Sequence, residues 1–337
     1  SSSSSSSSSL AEPSHFELAL SAEGLNESRL QDVRRSLAGA IEAKLAGAPQ
    51  VKSYTRQYLQ SFSQRKAIFF HHVSKTGGTT LCTCGSLNGC KAPEKNCHES
   101  FDRPLWEGGY RRIASPQTCE AMAEYNKGLH ITLEGDENFL FSGAPCPEFW
   151  NIIVLRDPID RLISHLAMCY EYNQSSCLYS NTWPSPAEFM RPDWLFENQH
   201  IVTDNYLIRT LLGGAVFNLP LNAIGDEHLQ QARRVLESFD AVYILDSDFL
   251  KIAETSLGWK CKGSQRTGHD VIEMMLRTLA TPSGIAHLKQ QNKFDAALLE
   301  TGSHLARLDS VVFQHSAFAA SVANFRCQHK RCGFLCQ

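Results

Sequence analysis

The chain has 337 residues, of which 42% are hydrophobic and 20% are charged, a balance typical of globular proteins rather than disordered ones. Its formal net charge is −3, from 32 Lys and Arg residues against 35 Asp and Glu residues, so we expect no nucleic-acid partner, and an anion site would have to be local. No run reaches the roughly 18 consecutive apolar residues that a membrane span requires, so we expect any membrane anchor to lie outside this sequence.

The first 65 residues read as an appendage in two parts. Residues 1–27 open with a tract of serine, which cannot bury apolar surface and predicts a disordered linker. Residues 28–65 predict a helical stem, because apolar side chains recur at three- and four-residue spacing at Leu30, Val33, Leu37, Ile41 and Leu45. The remaining residues, 66–337, then form the main domain.

After residue 65, short apolar runs alternate with helical patterns. Three runs predict strands, namely Ala67–His71, Trp150–Leu155 and Ala241–Leu245. Two intervening segments, Leu162–Tyr170 and Glu227–Glu237, predict helices. Strands that are apolar throughout are typical of a parallel sheet covered by helices on both faces. The predicted fold class is therefore α/β, with ligands bound beyond the carboxyl ends of the strands.

Cysteine usage indicates the redox environment. The chain has 12 cysteines, which are Cys82, Cys84, Cys90, Cys97, Cys119, Cys146, Cys169, Cys177, Cys261, Cys327, Cys332 and Cys336. The even total and the close spacing predict disulfides and an oxidising compartment. Glycosylation sequons at Asn26 and Asn173 agree with a secretory route.

Two other uses of these cysteines are weaker. Neither cluster has the paired spacing of a structural zinc site. Free buried thiols remain an alternative for Cys169 and Cys261, because unpaired cysteine is often buried. The region from Cys84 to about Gly135 shows no strong periodicity, and we expect irregular loops there, stapled by disulfides over the edge of the sheet.

The first predicted strand runs into Ser74-Lys75-Thr76-Gly77-Gly78-Thr79-Thr80. Glycines let the backbone approach an anion closely, helix-start amides point at it, and the lysine and hydroxyls complete the site. The pattern predicts a phosphate loop, although a Walker A loop would have its lysine after the glycines rather than before them. The alternative is a plain glycine turn with an exposed lysine.

A second motif, NIIVLRDPIDRLISHL, spans Asn151 to Leu166. The strand ends at Leu155, Arg156 follows, and Pro158 suits the first turn of a helix that carries Ser164. An arginine and a serine in these positions can hold a second phosphate through charge-assisted hydrogen bonds. The alternative places Arg156 in a salt bridge with an adjacent aspartate and Ser164 on the helix surface.

Together, these motifs resemble those of the sulfotransferases that use 3′-phosphoadenosine 5′-phosphosulfate (PAPS). Lys75–Thr80 is similar to their 5′-phosphosulfate loop, and Leu155–Pro158 through Ser164 is similar to their 3′-phosphate motif. The resemblance is closest to the Golgi carbohydrate sulfotransferases, especially the heparan sulfate 6-O- and 2-O-sulfotransferases. Looser similarities extend it over roughly residues 66–312, at Gly128–His130 and at the segments that begin with Thr203, Ser238 and Asn292.

The resemblance implies a P-loop-like α/β fold and transfer of a sulfuryl group from PAPS to a hydroxyl. Lys75 would neutralise charge on the bridging oxygen as the bisphosphate leaves. The 5′-phosphosulfate would bind Lys75, Thr76, Gly77, Gly78, Thr79 and Thr80, and the 3′-phosphate would bind Arg156 and Ser164. The protein's own cations and amides would grip the nucleotide, so we expect no metal.

An acceptor hydroxyl must lose its proton as it attacks, and a neutral histidine suits that task near pH 7. His130 matches the position of the base in the glycan sulfotransferases and is our first candidate. His72, beside the loop, is the second, and His165 follows Ser164 on its helix. Glu134 and Asp136 are carboxylate alternatives.

The resemblance also implies an acceptor and a location. The acceptor would be a glycan hydroxyl and the location the Golgi lumen, although the acidic chain suits a neutral glycan or a small hydroxylated metabolite better than a long polyanion. Two other classes stay open. One is an ATP- or GTP-dependent P-loop kinase, which would need a Walker A lysine and an acidic residue for Mg²⁺. The other is a glycan-binding member of the fold without turnover. Oligomeric state is not predicted.

Overall fold

A computed structural model of the chain describes residues 65, 67–93, 97, 118–137, 139–140, 143–172, 191, 200–246, 248–261 and 270–314. The predicted linker 1–27 and the predicted stem 28–65, apart from Arg65, lie outside the described residues. Both sequons, Cys177 and the three C-terminal cysteines also lie outside them.

The described residues form a parallel sheet of four strands in the order β2-β1-β3-β4. The strands are β1 Ile68–His71, β2 Leu133–Asp136, β3 Trp150–Leu155 and β4 Ala241–Ile244. Every residue of β1 and β3 is buried, as expected for apolar strands covered on both faces. The predicted α/β class with a parallel sheet is confirmed, and the three predicted strands are present to within one residue at each end.

The helices within the described residues alternate with these strands. Their bounds are α1 Gly78–Leu87, α2 Cys119–Leu129, α3 Pro158–Tyr172, α4 His200–Thr203, α5 Tyr206–Leu211, α6 Gly214–Phe217, α7 Asp226–Glu237, α8 Phe249–Leu257, α9 Asp270–Leu279, α10 Pro282–Gln291 and α11 Lys293–Gln314. The two predicted helices lie within α3 and α7, so both are confirmed. None of the described helices has the length and apolar character needed to cross a membrane.

Two apolar cores cover the two faces of the sheet. One core packs α1 and α8 against the strand residues Ile68, Phe70 and Ile152. The other packs α3, α5 and α7 against Phe69 and Ile153. Because alternate strand residues point to opposite faces, the continuous apolar runs of β1 and β3 supply both cores at once.

Helix α11 covers the open edge of β4. The carboxylate of Asp309 accepts a hydrogen bond of 2.8 Å from the backbone N–H of Val242, and the ring of Phe313 lies 6.4 Å from that of Tyr243. An edge strand otherwise presents unpaired backbone groups that invite pairing with another chain. The helix therefore closes this side of the sheet.

The strand order creates a topological switch point between β1 and β3. The chain leaves β1 toward β2 on one side, and it later adds β3 and β4 on the other side of β1. Sheets of this order bind ligands in the crevice beyond the carboxyl ends of the two strands at which the direction reverses. The segments that follow His71 and Leu155 border that crevice.

The prediction of irregular loops from Cys84 to Gly135 is wrong for part of this region. It contains the last turn of α1, all of α2 and most of β2. The sequence of β2, LEGD, has one large apolar residue and a glycine, so it lacks the apolar run that marks a buried strand. In α2, the buried residues are Met122 and Asn126, which is too short a stripe to show helical periodicity.

Disulfides join several of these elements. The described pairs are Cys82–Cys97, Cys84–Cys261 and Cys119–Cys146, and Cys90 and Cys169 are disulfide-bonded as well. The prediction of disulfides is confirmed for these cysteines. The alternative of free thiols at Cys169 and Cys261 is wrong, because both are oxidised.

Candidate functional site

The Lys75 loop, Ser74 to Thr80, connects β1 to α1 at the switch point. The Thr76 hydroxyl donates to the carbonyl of Val73 at 2.7 Å, and the Thr76 N–H donates to the same oxygen at 3.2 Å. Thr76 is therefore buried inside the turn and holds its shape, whereas Lys75 and Thr79 are partly exposed. Both donors of Thr76 are thus used within the turn, and its predicted role as a ligand of the nucleotide requires the turn to open.

Helix α1 begins where the loop ends. Gly77, the N-cap, has a φ of +91°, a conformation that glycine adopts without strain. A Cβ at Gly77 would also lie 2.8 Å from a methyl group of Leu245. The first amides of an α-helix have no partner within the helix and carry a partial positive charge. The glycine therefore lets the chain turn so that the amides of Gly78 and Thr79 open onto the crevice.

The ring of His72 supports the start of this helix. It stacks on Phe70 with a centroid distance of 5.2 Å, and a Cβ at Gly78 would lie 2.0 Å from its Nε2. His72 is only 4% exposed. The second glycine of the motif is thus required for packing against a histidine, a reason that the sequence alone did not reveal.

Arg156 reaches the loop from the neighbouring strand. Its Nη1 donates to the backbone carbonyl of Lys75 at 3.2 Å. The predicted alternative was a salt bridge between Arg156 and Asp157 or Asp160, but both aspartates bind other groups. Asp157 accepts from the N–H groups of Ile159 and Asp160, both at 2.9 Å, and thereby caps α3. Asp160 pairs with Arg277 at 2.8 Å.

Ser164 lies in the second turn of α3, the helix that follows Arg156. It is 4% exposed, so the alternative of a surface serine is wrong. Its neighbour His165 is 2% exposed and faces the same interior. Helix α3 therefore holds Ser164 in a buried position. Among the described residues, Lys75 and Arg156 are in contact, and Ser164 has no hydrogen bond to either of them.

The structure separates His130 from this site. His130 has a φ of +57° and ends α2, three residues before β2 begins at Leu133, which pairs with Ile68. It therefore lies at the amino edge of the sheet, whereas Lys75 follows the carboxyl end of β1. The two edges are about 10 Å apart, the length of a four-residue strand. His130 is also exposed to solvent, and its left-handed backbone explains its place as a helix terminator.

Two other candidates for the base, Glu134 and Asp136, lie on β2, and their backbones are closer to the Lys75 loop than that of His130 is. Asp136 ends β2 and pairs in register with His71, so its backbone lies at the same edge as the Lys75 loop. Glu134 is buried, and its carboxylate accepts a hydrogen bond from the side chain of Asn126. The sequence did not predict that Asp136 ends a strand at this edge, because β2 has no apolar run.

Below the loop, His71 is fully enclosed. Burial lowers the pKa of His71 to about 3, and the neighbouring charge of His72 adds to that effect. Its ring lies 6.1 Å from that of Phe239, on the opposite sheet face from His72. His71 is therefore a neutral core residue at physiological pH.

A second polar region, the Asp204 cluster, comprises Asp204, Asn205, Arg209, Asn292 and Asp295. Arg209 is 0% exposed, and it pairs with the carboxylate of Asp204 and donates to the Leu219 carbonyl at 2.7 Å. Asp295 accepts from the N–H groups of Leu207 and Ile208 at 2.8 and 3.0 Å. Two of the looser sequence similarities therefore fall on residues that join α5, α10 and α11.

One group of potential metal ligands occurs within the described residues. The ligand atoms of Cys119, Cys146 and Glu148 lie within 4.8 Å of one another. The two sulfur atoms are joined in a disulfide, which accounts for their proximity. This group is on a different part of the chain from the Lys75 loop.

Comparison with known proteins gives no match, whether with family models, curated proteins or solved structures.

Proposed function

We propose that the chain is a PAPS-dependent sulfotransferase that transfers a sulfuryl group to a hydroxyl of a glycan. The observation that carries the proposal is the hydrogen bond from Arg156 to the Lys75 carbonyl. This bond joins the Arg156 side chain to the backbone of the Lys75 loop, and so brings the two predicted motifs together at the carboxyl ends of two adjacent parallel strands. Such a crevice is where sheets of this type bind nucleotides.

The residues present suit a nucleotide with two separate anionic groups. Lys75 supplies a partly exposed cation, and the start of α1 supplies amides at a backbone without a Cβ at Gly77. Arg156 uses one N–H for the Lys75 carbonyl, and a guanidinium has five. The remaining donors of Arg156, together with Ser164 on α3, are proposed to hold the 3′-phosphate.

In the proposed reaction, the acceptor oxygen forms a bond to sulfur while the bond between sulfur and the bridging phosphate oxygen breaks. The products are a sulfate ester and adenosine 3′,5′-bisphosphate. The chain's part is positioning and charge stabilisation. Lys75 would neutralise the negative charge that develops on the bridging oxygen, and a base would take the proton of the acceptor hydroxyl.

His130 lies at the opposite edge of the sheet from the Lys75 loop, so we propose a residue of the carboxyl edge as that base. Asp136 is the first candidate, because the backbone of β2 ends there at the same edge as the Lys75 loop. His72 is the second candidate, because it contacts the loop. It ranks below Asp136 because Phe70 and Gly78 enclose its ring. Substituting Asp136→Asn should lower kcat at least about 100-fold with unchanged nucleotide affinity. His130→Ala is the matched control and should keep full kcat, whereas a large loss in this variant would restore His130 as the base.

Disulfides support a place in the secretory pathway, and we propose the Golgi lumen. The disulfides between distant segments, such as Cys84–Cys261, are stable in oxidising compartments and rare in the cytosol.

The first test is a thermal-shift titration with adenosine 3′,5′-bisphosphate and, separately, with ATP and Mg²⁺. A ligand that binds only the folded state at 100 times its Kd adds about 2.7 kcal/mol of stability. Stabilisation by the bisphosphate, followed by transfer from PAPS to a panel of neutral glycans, would support the proposal. Stabilisation by ATP with Mg²⁺ alone would favour the kinase, and bisphosphate binding without transfer to any acceptor would favour the binding protein without turnover.

A further inference from the structure

The backbone of Lys75 has a conformation that its side chain does not favour. Its φ is +68°, in the left-handed region where a residue with a Cβ meets steric resistance. Asparagine, aspartate and glycine are the residues that commonly occupy that region, and lysine is not among them. Surrounding contacts must therefore hold Lys75 in place.

Two contacts act on the peptide unit that joins Lys75 to Thr76. Thr76 closes the turn through the hydrogen bonds of its N–H and its hydroxyl to the Val73 carbonyl. Arg156 donates to the carbonyl oxygen of Lys75, at the other end of the same peptide unit. The first contact is local to the loop, whereas the second comes from a different strand, 81 residues away in sequence.

The backbone of Arg156 is held in place by the elements on either side of it. It follows β3 directly, and β3 pairs in register with β1, with Ile153 opposite His71. The next residue, Asp157, caps α3 through two backbone N–H groups. The backbone of Arg156 is thus fixed from both sides, and its partly buried guanidinium bridges the two halves of the crevice.

We infer that Arg156 is a positioning residue for Lys75, holding the 5′ loop in its binding shape in addition to contacting the 3′-phosphate. The inference rests on the proposed function. It follows that binding at the 3′ position and at the 5′ loop is coupled through one side chain, and that coupling acts in both directions. Nucleotides with a 3′-phosphate would then be favoured twice, by direct contact and by stabilisation of the loop.

The test separates the two roles by using ligands with and without a 3′-phosphate. The probes are adenosine 3′,5′-bisphosphate and adenosine 5′-phosphosulfate, which carries the complete 5′ group alone. Calorimetry would measure the Kd of each for the wild type, Arg156→Ala, Arg156→Gln and Ser164→Ala. Circular dichroism and thermal melting would establish that each variant is folded.

For adenosine 5′-phosphosulfate, we expect Arg156→Ala to raise Kd about tenfold, as for the loss of one charge-assisted hydrogen bond. Arg156→Gln keeps N–H donors and should recover part of that affinity without recovering the affinity for the bisphosphate. Ser164→Ala is the matched control, because Ser164 belongs to the same motif without the bond to Lys75. It should weaken the bisphosphate alone.

Other outcomes have distinct meanings. If Arg156→Ala weakens the bisphosphate but binds adenosine 5′-phosphosulfate like the wild type, Arg156 is only a phosphate ligand and the inference is overturned. Failure of the wild type to bind adenosine 5′-phosphosulfate while it binds the bisphosphate also overturns the inference, since the loop is then not preformed. If the wild type binds neither nucleotide, the proposed function fails instead. Should Arg156→Ala not fold, Arg156→Gln decides between these outcomes.

Discussion

The Lys75 loop and the Asp204 cluster both join distant segments through an arginine, and they use it differently. Arg209 is completely buried, paired with Asp204 and bonded to backbone carbonyls such as that of Leu219. Arg156 is partly exposed and, among the described residues, makes one hydrogen bond, to the carbonyl of Lys75. The first arginine has committed its donors to the fold, whereas the second retains most of its donors at a crevice.

This difference separates residues that serve the fold from residues that face the crevice. The segments that begin with Thr203 and Asn292 contain Asp204, Asn205, Asn292 and Asp295, which bind one another and the start of α5. These residues form an internal scaffold. Lys75 and Arg156 lie instead at the switch point.

The largest effect on stability is expected from breaking the Asp204 cluster. Arg209→Ala leaves the carboxylate of Asp204 buried without its ion-pair partner, and removal of one member of a buried pair typically costs about 3–5 kcal/mol. Denaturant unfolding monitored by circular dichroism would measure the loss. A cost below about 1 kcal/mol would mean that water reaches the cluster, so that Arg209, like Arg156, would contribute little to the stability of the fold.

Lys75→Ala should show the opposite pattern, with activity lost and stability kept. Removal of one group that stabilises developing charge typically lowers kcat about 10²–10³-fold, while the partly exposed side chain contributes little to folding. Single-turnover transfer from PAPS, together with denaturant unfolding, would measure both. Lys75→Arg is the matched control, and wild-type turnover in Lys75→Ala would remove Lys75 from the mechanism.

The two regions should also respond to acid with opposite signs. His71 has its pKa lowered from 6.5 to about 3 by burial and by His72, so the unfolded chain takes up the proton first and stability falls as pH drops below 6.5. Burial raises the pKa of Asp295 from 3.8 to about 6, although hydrogen bonds from Leu207 and Ile208 and the charge of Arg161 oppose the rise. The folded state then binds that proton first, and stability rises as pH falls through 6.

Between pH 7 and pH 5, these effects are about 2 kcal/mol for His71 and about 1 kcal/mol for Asp295, and they largely cancel. Variants are needed to measure the effect of His71 and the effect of Asp295 separately. His71→Leu should become more stable on acidification from pH 7 to pH 5, and Asp295→Asn should lose stability more steeply than the wild type. Unfolding free energies at the two pH values would check this, and identical slopes in both variants would contradict it.

The smallest effect is expected at the surface. Asp160 and Arg277 form an ion pair in which both side chains are 44% exposed, and pairs of this kind contribute about 0–1 kcal/mol. Asp160→Ala should therefore change unfolding by less than about 1 kcal/mol and leave transfer unaffected. A larger loss, measured by denaturant unfolding at low and high salt, would show that charge pairs outside the Asp204 cluster also support the fold.

Much of the fold followed from local sequence, because β1 and β3 are apolar throughout. The meeting of the Lys75 loop with Arg156 was also predictable in outline, since both follow parallel strands. Strand β2 was not, because LEGD at a sheet edge has no apolar run. Without the register of β2, the sequence could not show that His130 lies at the opposite edge of the sheet from the Lys75 loop. The Asp204 cluster joins residues 87 positions apart in the sequence, and no local pattern predicts such a contact.

The Cys84–Cys261 disulfide has a consequence for how the chain is made. Its two cysteines are 177 residues apart, and Cys84 lies in α1, directly after the Lys75 loop. During synthesis Cys84 emerges long before its partner, in the company of Cys82, Cys90 and Cys97. Native pairing at this position therefore depends on keeping Cys84 reduced, or on exchanging an early bond, until β4 and α8 have left the ribosome. Helix α1 therefore gains one of its covalent links late, whereas its other link, Cys82–Cys97, spans only 15 residues and can form early.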